Sequence, residues 1–574
     1  MRKLTFKTLA EVFEKLEATT LGTEMRRILS EFFKNCPEND IDKACYLMLG
    51  QIGPQYAAIN IGMAEKMILK AIASAAQKSI EYITNLFKKS GDVGLTAEAI
   101  AFAKEPKLLV EDVFNTLHKI AGETGEGSVE RKIKHFSDLL SKATKKEARY
   151  IARIALSTLR LGAGDMTLLD SLSIAFTGTK ANKPILEHAY NIRPDIGFIA
   201  KTIAERGLEG IKKVDIALGT PIQMMLAQRV KSTNEILEHM PGVDIAVEEK
   251  YDGERVQAHK KGNEIVLYSR RLENITYQFP DVIEEILKAI KAKDCIIEGE
   301  IVPIDEKGDL LPFQILMQRR RKYEIEKYVK AIPVCLYLFD LLYLDGKSYI
   351  RKNLKERRAA LEKILPKETK HLQLAKGTIC RDVDCIEEFF NRAVERGCEG
   401  ILAKSSEGVY QAGTRGWLWI KWKREYTKEM RDTFDLVVVG AFLGRGRRAG
   451  TYGALLCAAY NPKLDRFETF CKLGSGFTDA QLAELPKIFK KYVIPHKSPR
   501  VEVTKEMQPD VWFDPAIVVE VIGAEITRSP VHTAAMEEGQ GLALRFPRFI
   551  RYRPEKKPEQ ATTLEEIIQI FKRR

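Results

Sequence analysis

The chain has 574 residues, more than one hydrophobic core usually organises, so its length predicts two to four domains. With 45% hydrophobic and 30% charged residues, the composition excludes a fibrous or wholly disordered protein. The formal net charge of +13 favours a polyanionic partner such as nucleic acid, although a merely basic globular protein would also carry it.

No stretch of the sequence is typical of a membrane span or a secretory signal. The most apolar run, residues 332–344, is interrupted by Asp340 and is too short to cross a bilayer. The 9 cysteines include no CxxC pair, and the spacing of the tightest group, Cys380, Cys385 and Cys398, is irregular. We therefore interpret them as thiols rather than metal ligands, which favours a reducing, cytoplasmic compartment.

The first part of the chain, to about residue 217, predicts a helical domain. Apolar residues recur at the three- and four-residue spacing of an amphipathic helix in the segments 9–18, 61–76 and 145–160. Turn and cap residues such as those at 36–40 separate these segments. No fixed-period repeat is evident, which argues against a solenoid.

The pattern changes to mixed α/β after Gly219. Alternating apolar and polar residues predict strands over 243–250, 254–261 and 264–271, and residues 281–292 predict a helix after them. A third section starts near Thr433 with the apolar run 435–444. Short strands and glycine-rich turns follow there, which predicts a small β-barrel, and the segment 564–574 closes the chain as a helix.

The sharpest local feature is EEKYDGERVQAH at 248–259. Strand patterns on both sides predict a hairpin turn over residues 251–254, in which Gly253 relieves strain. Lys250 would then stand at the end of the first strand among charged neighbours. By itself this segment is better explained as an ordinary charged hairpin tip, because a K-x-D-G match recurs easily by chance.

Six further segments follow this one in order: YSRRLENIT (268–276), IIEGEIV (296–302), LYLFDLLYLDG (336–346), EGILAKS (399–405), WIKWKREY (419–426) and RFPRFIRYRP (545–554). With KYDGER they resemble the motifs of the family that contains ATP-dependent DNA ligases, RNA ligases and mRNA capping enzymes. The resemblance covers essentially the whole chain. It is closest to the archaeal and eukaryotic-type DNA ligases, which have a helical N-terminal module.

The resemblance implies a multidomain fold with three parts. An all-α DNA-binding domain (1–217) would precede an α+β adenylation, or nucleotidyltransferase, core (218–426). An OB-fold β-barrel with a C-terminal helix (427–574) would complete the chain. Linkers near 215–222 and 424–433 would act as hinges when the parts close around DNA.

The resemblance also assigns the site residues. Lys250 is expected to be the nucleophile that carries AMP. The nucleotide would be contacted by Glu248, Arg255, Arg270, Glu300, Phe339, Arg415 and Lys421. Glu300 and Glu399 would hold a divalent ion, and hard carboxylate oxygens shared with phosphate suit Mg²⁺.

Physical chemistry supports a cationic surrounding for the lysine. Its amine attacks phosphorus only when neutral, whereas a free lysine has a pKa of about 10.4. Desolvation and nearby cations such as Arg255, Arg270 and Lys423 favour the neutral amine.

Several of these residues have plain structural alternatives. Phe339 would by default be a core aromatic, Arg415 a loop arginine, and Lys404 a surface lysine rather than a phosphate contact. Glu298 lies two residues before Glu300 and so on the same strand face. We interpret Glu298 as a solvated strand end.

The C-terminal part offers further cations. RGRRAGTYG at 445–453 places three arginines on a glycine-rich loop, for which a contact with DNA phosphates and a solvated loop are equally good interpretations. By the resemblance, Arg545 and Arg548 would help to orient pyrophosphate.

The implied function is ATP-dependent sealing of nicks in duplex DNA, used in replication, repair and recombination. ATP and Mg²⁺ would be the cofactors, and the enzyme would act as a monomer. The sequence leaves open whether ADP, GTP or NAD also serves as donor. A sliding clamp is a conceivable further partner, but the apolar segment 107–114 lacks a leading glutamine and is interpreted first as a helix face.

Three other functions would account for some of these features. RNA ligases and capping guanylyltransferases share the lysine chemistry but usually lack a long helical module before the core. NAD-dependent ligases carry a four-cysteine zinc module that this sequence does not contain. A catalytically silent nucleic-acid-binding protein would require the motif residues to be relics, although every polar position needed for the chemistry is present.

Overall fold

The computed structural model describes residues 3–100, 102–319, 325–423, 433–444 and 451–572. Helices come first along the chain and β-sheets follow, as the periodicity predicts. The chain divides into two compact units, one that ends at Lys423 and one that follows it.

The helical part is built from segments whose apolar faces meet in one core. The helices are α1 (Phe6–Glu17), α2 (Gly22–Asn35), α3 (Ile41–Met48), α4 (Glu65–Ala76), α5 (Ile80–Ser90), α6 (Val93–Glu98), α7 (Val110–Gly122), α8 (Ser128–Leu140), α9 (Lys145–Ala155), α10 (Asp165–Thr177), α11 (Lys183–Ile192) and α12 (Ile196–Lys212). Local sequence starts them where expected: Thr144 and Glu147 form a capping box at the N terminus of α9. Phe13 of α1 then packs edge-on against Tyr150 of α9, with 5.2 Å between ring centroids.

The segment 107–114 forms the start of α7 and faces inward. Leu108, Val110 and Val113 are buried, and Phe114 stacks on Tyr46 at 6.2 Å between ring centroids. Its apolar side chains therefore belong to the helical core, which confirms the interpretation as a helix face.

Within the described residues, two sheets make up the α/β core. The five-stranded sheet has the order β1-β11-β10-β2-β9 and the six-stranded sheet has the order β4-β3-β5-β6-β7, with β8 paired to β6. The strands are β1 (Leu226–Arg229), β2 (Ile245–Lys250), β3 (Glu254–Lys261), β4 (Glu264–Ser269), β5 (Asp294–Pro303), β6 (Val334–Leu344), β7 (Lys347–Ser348), β8 (Leu372–Leu374), β9 (Gly377–Cys380), β10 (Gly400–Ser405) and β11 (Arg415–Lys423). The helices of this part are α13 (Thr233–His239), α14 (Pro280–Ala289), α15 (Phe313–Leu316), α16 (Ile325–Ala331), α17 (Leu354–Ile364) and α18 (Val383–Glu395).

The hairpin predicted at residues 251–254 is wrong. Strands β2 and β3 belong to different sheets, so the chain crosses from one sheet to the other directly after Lys250. Gly253 is needed there for space, because a Cβ would lie 2.3 Å from the carbonyl oxygen of Ile301. Alternation along the chain predicts each strand but not its partner, and the partner is what puts Lys250 where the two sheets meet.

A buried polar network joins the segment after α12 to the core. Gly219 N–H donates to His259 Nδ1 at 3.1 Å, and the Tyr268 hydroxyl donates to Gly219 O at 2.6 Å. Ile222 N–H donates to Gln257 Oε1 at 2.7 Å. These bonds fix residues 219–222 to the core, so a hinge over 215–222 would have to break them or bend before Gly219.

The second unit is β-rich, as expected. Its strands are β12 (Thr433–Leu443), β13 (Tyr452–Asn461), β14 (Arg466–Leu473), β15 (Val493–Ile494), β16 (Val501–Glu502), β17 (Val511–Phe513), β18 (Val518–Ile522), β19 (Glu525–Ser529), β20 (Ala534–Glu537), β21 (Gln540–Arg545) and β22 (Arg548–Tyr552), with helices α19 (Asp479–Phe489) and α20 (Leu564–Lys572). The central path runs β15-β17-β12-β13-β14-β16, β18 pairs with β12 and β22, and β19-β21-β20 form a small sheet. The predicted hinge at 424–433 and the loop 445–453 fall mostly on residues 424–432 and 445–450, which lie outside the described residues.

The cysteines differ from expectation at one place. Cys380 at the end of β9 forms a disulfide with Cys385 on α18, so the interpretation of this group as thiols is wrong for these two residues, whereas Cys398 is a buried free thiol. The spacing of these cysteines did not predict the pairing, because Cys380 and Cys385 come together only through the packing of β9 against α18. None of the helices in the described ranges is long and apolar enough to cross a membrane.

Candidate active site

A pocket of about 430 Å³ lies between the two sheets of the core. It is lined by all of the predicted site residues except Glu248, namely Lys250, Arg255, Arg270, Glu300, Phe339, Glu399, Arg415 and Lys421. Residues that are up to about 170 positions apart in the sequence thus share one cavity of the size that small ligands occupy.

One face of the five-stranded sheet supplies a regular set of side chains. Residues paired across neighbouring antiparallel strands point to the same face, so they form rows across β2, β10 and β11. The rows are Lys250–Gly400–Lys423, Glu248–Leu402–Lys421 and Ala246–Lys404–Trp419. Because side chains alternate along each strand, residues of the three motifs on β2, β10 and β11 form one surface.

In the first row, Lys250 is ion-paired with Glu399. Its Nζ lies 2.6 Å from Glu399 Oε2, and the Nζ of Lys423 lies 2.9 Å from the same oxygen. Burial opposes the ionisation of Glu399, but Lys250 and Lys423 outweigh it and hold the pKa of this carboxyl below its usual range. The carboxylate therefore fixes two cationic side chains at one end of the pocket.

The six-stranded sheet contributes Arg255, Glu300 and Phe339 to the pocket. Arg255 is held from behind: its Nη2 donates to Glu298 Oε2 at 2.8 Å and its Nη1 to the carbonyl oxygen of Met225 at 2.8 Å. The interpretation of Glu298 as a solvated strand end is wrong. Its side chain is fully buried and also accepts hydrogen bonds from Gln257 and Tyr410, because other residues of the core cover this face of the strand.

The surroundings of Glu300 disfavour the ionised form of its carboxyl group. Burial, with help from Glu399 and Glu254, raises its pKa to about 7, although Lys250 and Arg255 act in the opposite direction. A divalent cation beside it would favour the ionised form.

The lowered pKa of Lys421 reflects, together with burial, the positive charge of its neighbours in the pocket. Burial and the neighbouring cations Lys423, Lys250, Arg415 and Arg270 together lower its pKa to about 8. Arg270 and Arg415 are themselves exposed, which leaves their guanidinium groups accessible to an anionic ligand. The field that the sequence suggested around the lysine is thus present.

Phe339 is both a buried aromatic and a pocket wall. Its ring meets that of Trp419 edge-on at 6.2 Å, and the guanidinium of Arg255 lies 5.3 Å from each ring centroid. The same two rings flank Lys404, which is fully buried, so the alternative of a surface lysine is excluded. Lys404 Nζ lies 2.5 Å from Glu248 Oε2, and this pair lies behind the lining of the pocket.

Asp252 and Trp419 are among the lining residues that the sequence did not assign to the site. Asp252 lies in the crossover, where burial raises its pKa and the nearby Glu399 adds to the effect. Trp419 had a signal in the sequence, because it alternates with Lys421 and Lys423 and so shares their strand face.

The pocket offers a divalent cation two carboxylate ligands, those of Glu300 and Glu399. The described residues contain no group of three or more His, Cys, Asp or Glu side chains that could hold a metal ion by themselves. Mg²⁺ commonly takes one or two carboxylates and completes its shell with phosphate oxygens and water. The carboxyl of Glu300 and the nearby Glu399 meet that requirement.

A lysine amine, two carboxylates and several cations around one small pocket form the kind of site that a covalent nucleotidyltransferase needs. The comparisons with known proteins specify the class. The chain matches three family models: the DNA ligase N terminus over 5–173, the ATP-dependent DNA ligase domain over 224–423, and the ATP-dependent DNA ligase C-terminal region over 448–556. The chain therefore belongs to the ATP-dependent DNA ligase family.

Full-length relatives agree. The chain is 48% identical to DNA ligase 2 of Thermofilum pendens, over 99% of this chain and 97% of that protein. It is also 48% identical to the DNA ligase of Staphylothermus marinus, over 99% of this chain and 98% of that protein. The solved structure named Pmar-Lig_PreS3 has a similar fold, with a TM-score of 0.54 at 20% identity, covering 95% of this chain and 99% of that one.

Proposed function

We propose that this chain seals nicks in duplex DNA through an AMP group carried on Lys250. The observation that supports this most is the placement of the Lys250 amine in a pocket whose other walls carry Glu300, Glu399, Arg270 and Lys421. Such an arrangement offers a nucleophile, metal ligands and phosphate-binding cations within one cavity.

In the first step, the neutral amine of Lys250 attacks the α-phosphorus of ATP. A nitrogen–phosphorus bond forms, the bond from phosphorus to the pyrophosphate oxygen breaks, and the amine gives up a proton. Negative charge gathers on phosphate oxygens during this transfer. Preformed cations such as Arg270, Arg415 and Lys421 stabilise that charge without rearranging.

Two further transfers complete the reaction. The 5′-phosphate of the nick attacks the phosphorus of the lysine-bound AMP, which returns Lys250 to its free form. The 3′-hydroxyl then attacks the 5′-phosphate and displaces AMP, so the strand is sealed. Glu300 and Glu399 would hold Mg²⁺, which when bound neutralises phosphate charge and polarises the phosphorus–oxygen bonds.

The three predicted parts divide the work. The helical domain (1–217) would grip the duplex largely through phosphates, independently of sequence. The core (218–426) holds the nucleotide. We infer an OB-fold for residues 427–574, in keeping with their short antiparallel strands, and Arg545 and Arg548, on β21 and β22, would face the phosphates.

Incubation with α-labelled ATP and Mg²⁺ tests the covalent step. The wild-type protein should acquire an acid-labile label, Lys250→Ala should acquire none, and Lys261→Ala, which removes an exposed lysine of β3, should be labelled normally. A label that persists in Lys250→Ala would refute the assignment.

Nicked DNA and nicked RNA duplexes, compared in one gel, test the substrate. DNA should be sealed, and sealing of RNA alone would favour an RNA ligase. Limited proteolysis with and without nicked DNA should show protection near 215–222 and 424–433. Unchanged cleavage there would count against closure around the nick.

A further inference from the structure

Lys404 is a buried charge that packing alone does not explain. It is fully buried near the end of β10, and Glu248 is its ion-pair partner at 2.5 Å. Its Nζ lies 4.6 Å from the ring centroid of Phe339 and 4.5 Å from that of Trp419. Desolvating an ammonium group is costly, and an apolar side chain would fill the same space at lower cost. The buried ammonium group of Lys404 therefore indicates a function beyond packing.

Both oxygens of Glu248 lie near a cationic side chain. Lys404 contacts Oε2, while Nη1 of Arg358 lies 3.8 Å from Oε1. Gly377 on β9 leaves room for this pose, since a Cβ there would lie 3.0 Å from Glu248 Cγ. An ionised carboxylate can only accept hydrogen bonds, so the pair presents a fixed acceptor.

The position of this acceptor follows from the rows of the five-stranded sheet. Glu248 stands opposite Leu402, which lines the pocket, one row behind Lys250. Lys404 and Trp419 form the next row, and successive rows are about 7 Å apart because two residues of a strand separate them. A nucleotide with its α-phosphorus at Lys250 would extend its base along these rows, toward the rings of Phe339 and Trp419 in the lining and the Glu248 carboxylate behind it.

We propose that Lys404 is a positioning residue that makes the site selective for adenine nucleotides by holding Glu248 as an acceptor for the adenine amine. Guanine carries a carbonyl oxygen where adenine carries that amine, so a fixed carboxylate attracts one base and repels the other. The inference rests on the proposed function, since it presupposes that a nucleoside triphosphate reacts with Lys250 in this pocket.

The test is the Lys404→Met variant, which keeps the length of the side chain and removes its charge. Self-labelling is followed with α-labelled ATP and with α-labelled GTP at several concentrations. The half-saturating concentration of ATP should rise about tenfold and the preference for ATP over GTP should fall about tenfold or more, because a misplaced polar contact relaxes discrimination on this scale. The labelling rate at saturating ATP should stay within about threefold of the wild-type rate.

Two controls separate this role from general stability. Sealing of a nick that already carries a 5′-AMP needs no free nucleotide, and at saturating nick its rate in Lys404→Met should stay within about threefold of the wild-type rate. Lys260→Met removes another buried lysine, whose Nζ donates to the carbonyl oxygen of Ala292 at 2.6 Å away from the pocket. It should lower the melting temperature without changing the preference for ATP over GTP.

Glu248→Gln tests the same pair from the other side, and it decides the matter if Lys404→Met fails to fold. It should reproduce the loss of preference, and adding Lys404→Met to it should change the preference little further, as expected for residues that act as a unit. A folded variant of either kind that keeps the full preference for ATP over GTP overturns the proposal, as does a parallel loss of sealing at a saturating concentration of the adenylated nick. If instead the wild-type protein takes no label from ATP, the proposed function itself fails.

Discussion

The Nζ of Lys250 lies 2.6 Å from the Oε2 of Glu399, and that oxygen also pairs with Lys423 at 2.9 Å. The proposed nucleophile and the expected metal ligand are thus one contact apart, although they lie 149 positions apart in the sequence. The prediction that follows is that Glu399→Gln slows self-labelling with ATP about 100-fold, the scale for removing one preorganised charge from an active site.

The rate of label transfer to Lys250 measures this effect. Glu407→Gln is the matched control, because Glu407 pairs with Lys355 at 2.8 Å on the surface. Equal labelling rates for the wild type and Glu399→Gln would contradict the role of Glu399.

Lys421 gives the reaction a pH dependence. Its pKa is lowered to about 8, so the side chain is cationic below that pH and neutral above it. We expect kcat/KM for self-labelling to fall as the pH rises through about 8, since this ratio reports groups of the free enzyme. In Lys421→Arg the group stays charged, so this descending limb should disappear. A limb that persists unchanged in Lys421→Arg would assign it to another group.

Gly253 is a packing constraint at the crossover between the sheets. A Cβ there would lie 2.3 Å from the carbonyl oxygen of Ile301 and 2.9 Å from Cγ of Glu300. Gly253→Ala should therefore displace β5, lower stability by about 1–3 kcal/mol and reduce labelling of Lys250. Gly164→Ala adds a Cβ in open space and is the control for both measurements. Normal stability of Gly253→Ala would show that the crossover has room to adjust.

The disulfide between Cys380 and Cys385 ties β9 to α18. Closing so short a loop should stabilise the protein by about 2 kcal/mol, mainly by restricting the unfolded chain. The Cys380→Ser, Cys385→Ser double variant should lose this amount in equilibrium unfolding. A reductant should lower the stability of the wild type similarly and leave the double variant unchanged. A wild type that is insensitive to reductant would argue against a stabilising bond.

His259 predicts acid sensitivity of the link between the helical domain and the core. Burial lowers its pKa to about 3, and its Nδ1 accepts from Gly219 N–H only while unprotonated. The folded state thus binds a proton more weakly than the unfolded chain, whose histidine titrates near 6.5. The contribution of His259 to the stability is fully present above about pH 6.5 and is lost progressively as the pH falls toward 3.

From these values, His259 should cost about 2 kcal/mol of stability at pH 5 relative to pH 7.5. Unfolding curves for the wild type and His259→Gln at both pH values isolate this contribution, because all other titrating groups are shared. The difference between the two proteins should shrink at pH 5. A difference that stays constant with pH would show that His259 is not the group responsible.

The sequence by itself determined much of the fold and named several of the residues that line the candidate pocket. Helix periodicity predicts the segments of the helical domain because amphipathic faces are a local property, and α1, α4 and α9 form where it indicates. Eight of the nine predicted site residues line the pocket, and strand alternation accounts for part of this agreement because it places Lys421 and Lys423 on one face.

The tertiary structure decided what local pattern cannot encode, which is the partner of each element. The crossover after Lys250 and the disulfide of Cys380 depend on which strands and helices become neighbours. The burial of Glu298 and the pairing of Lys404 with Glu248 depend on what covers each strand face. Burial and ion pairing change the pKa of a side chain and fix its position. The motifs therefore predict the type of chemistry, whereas the contacts of each side chain depend on how the sheets pack.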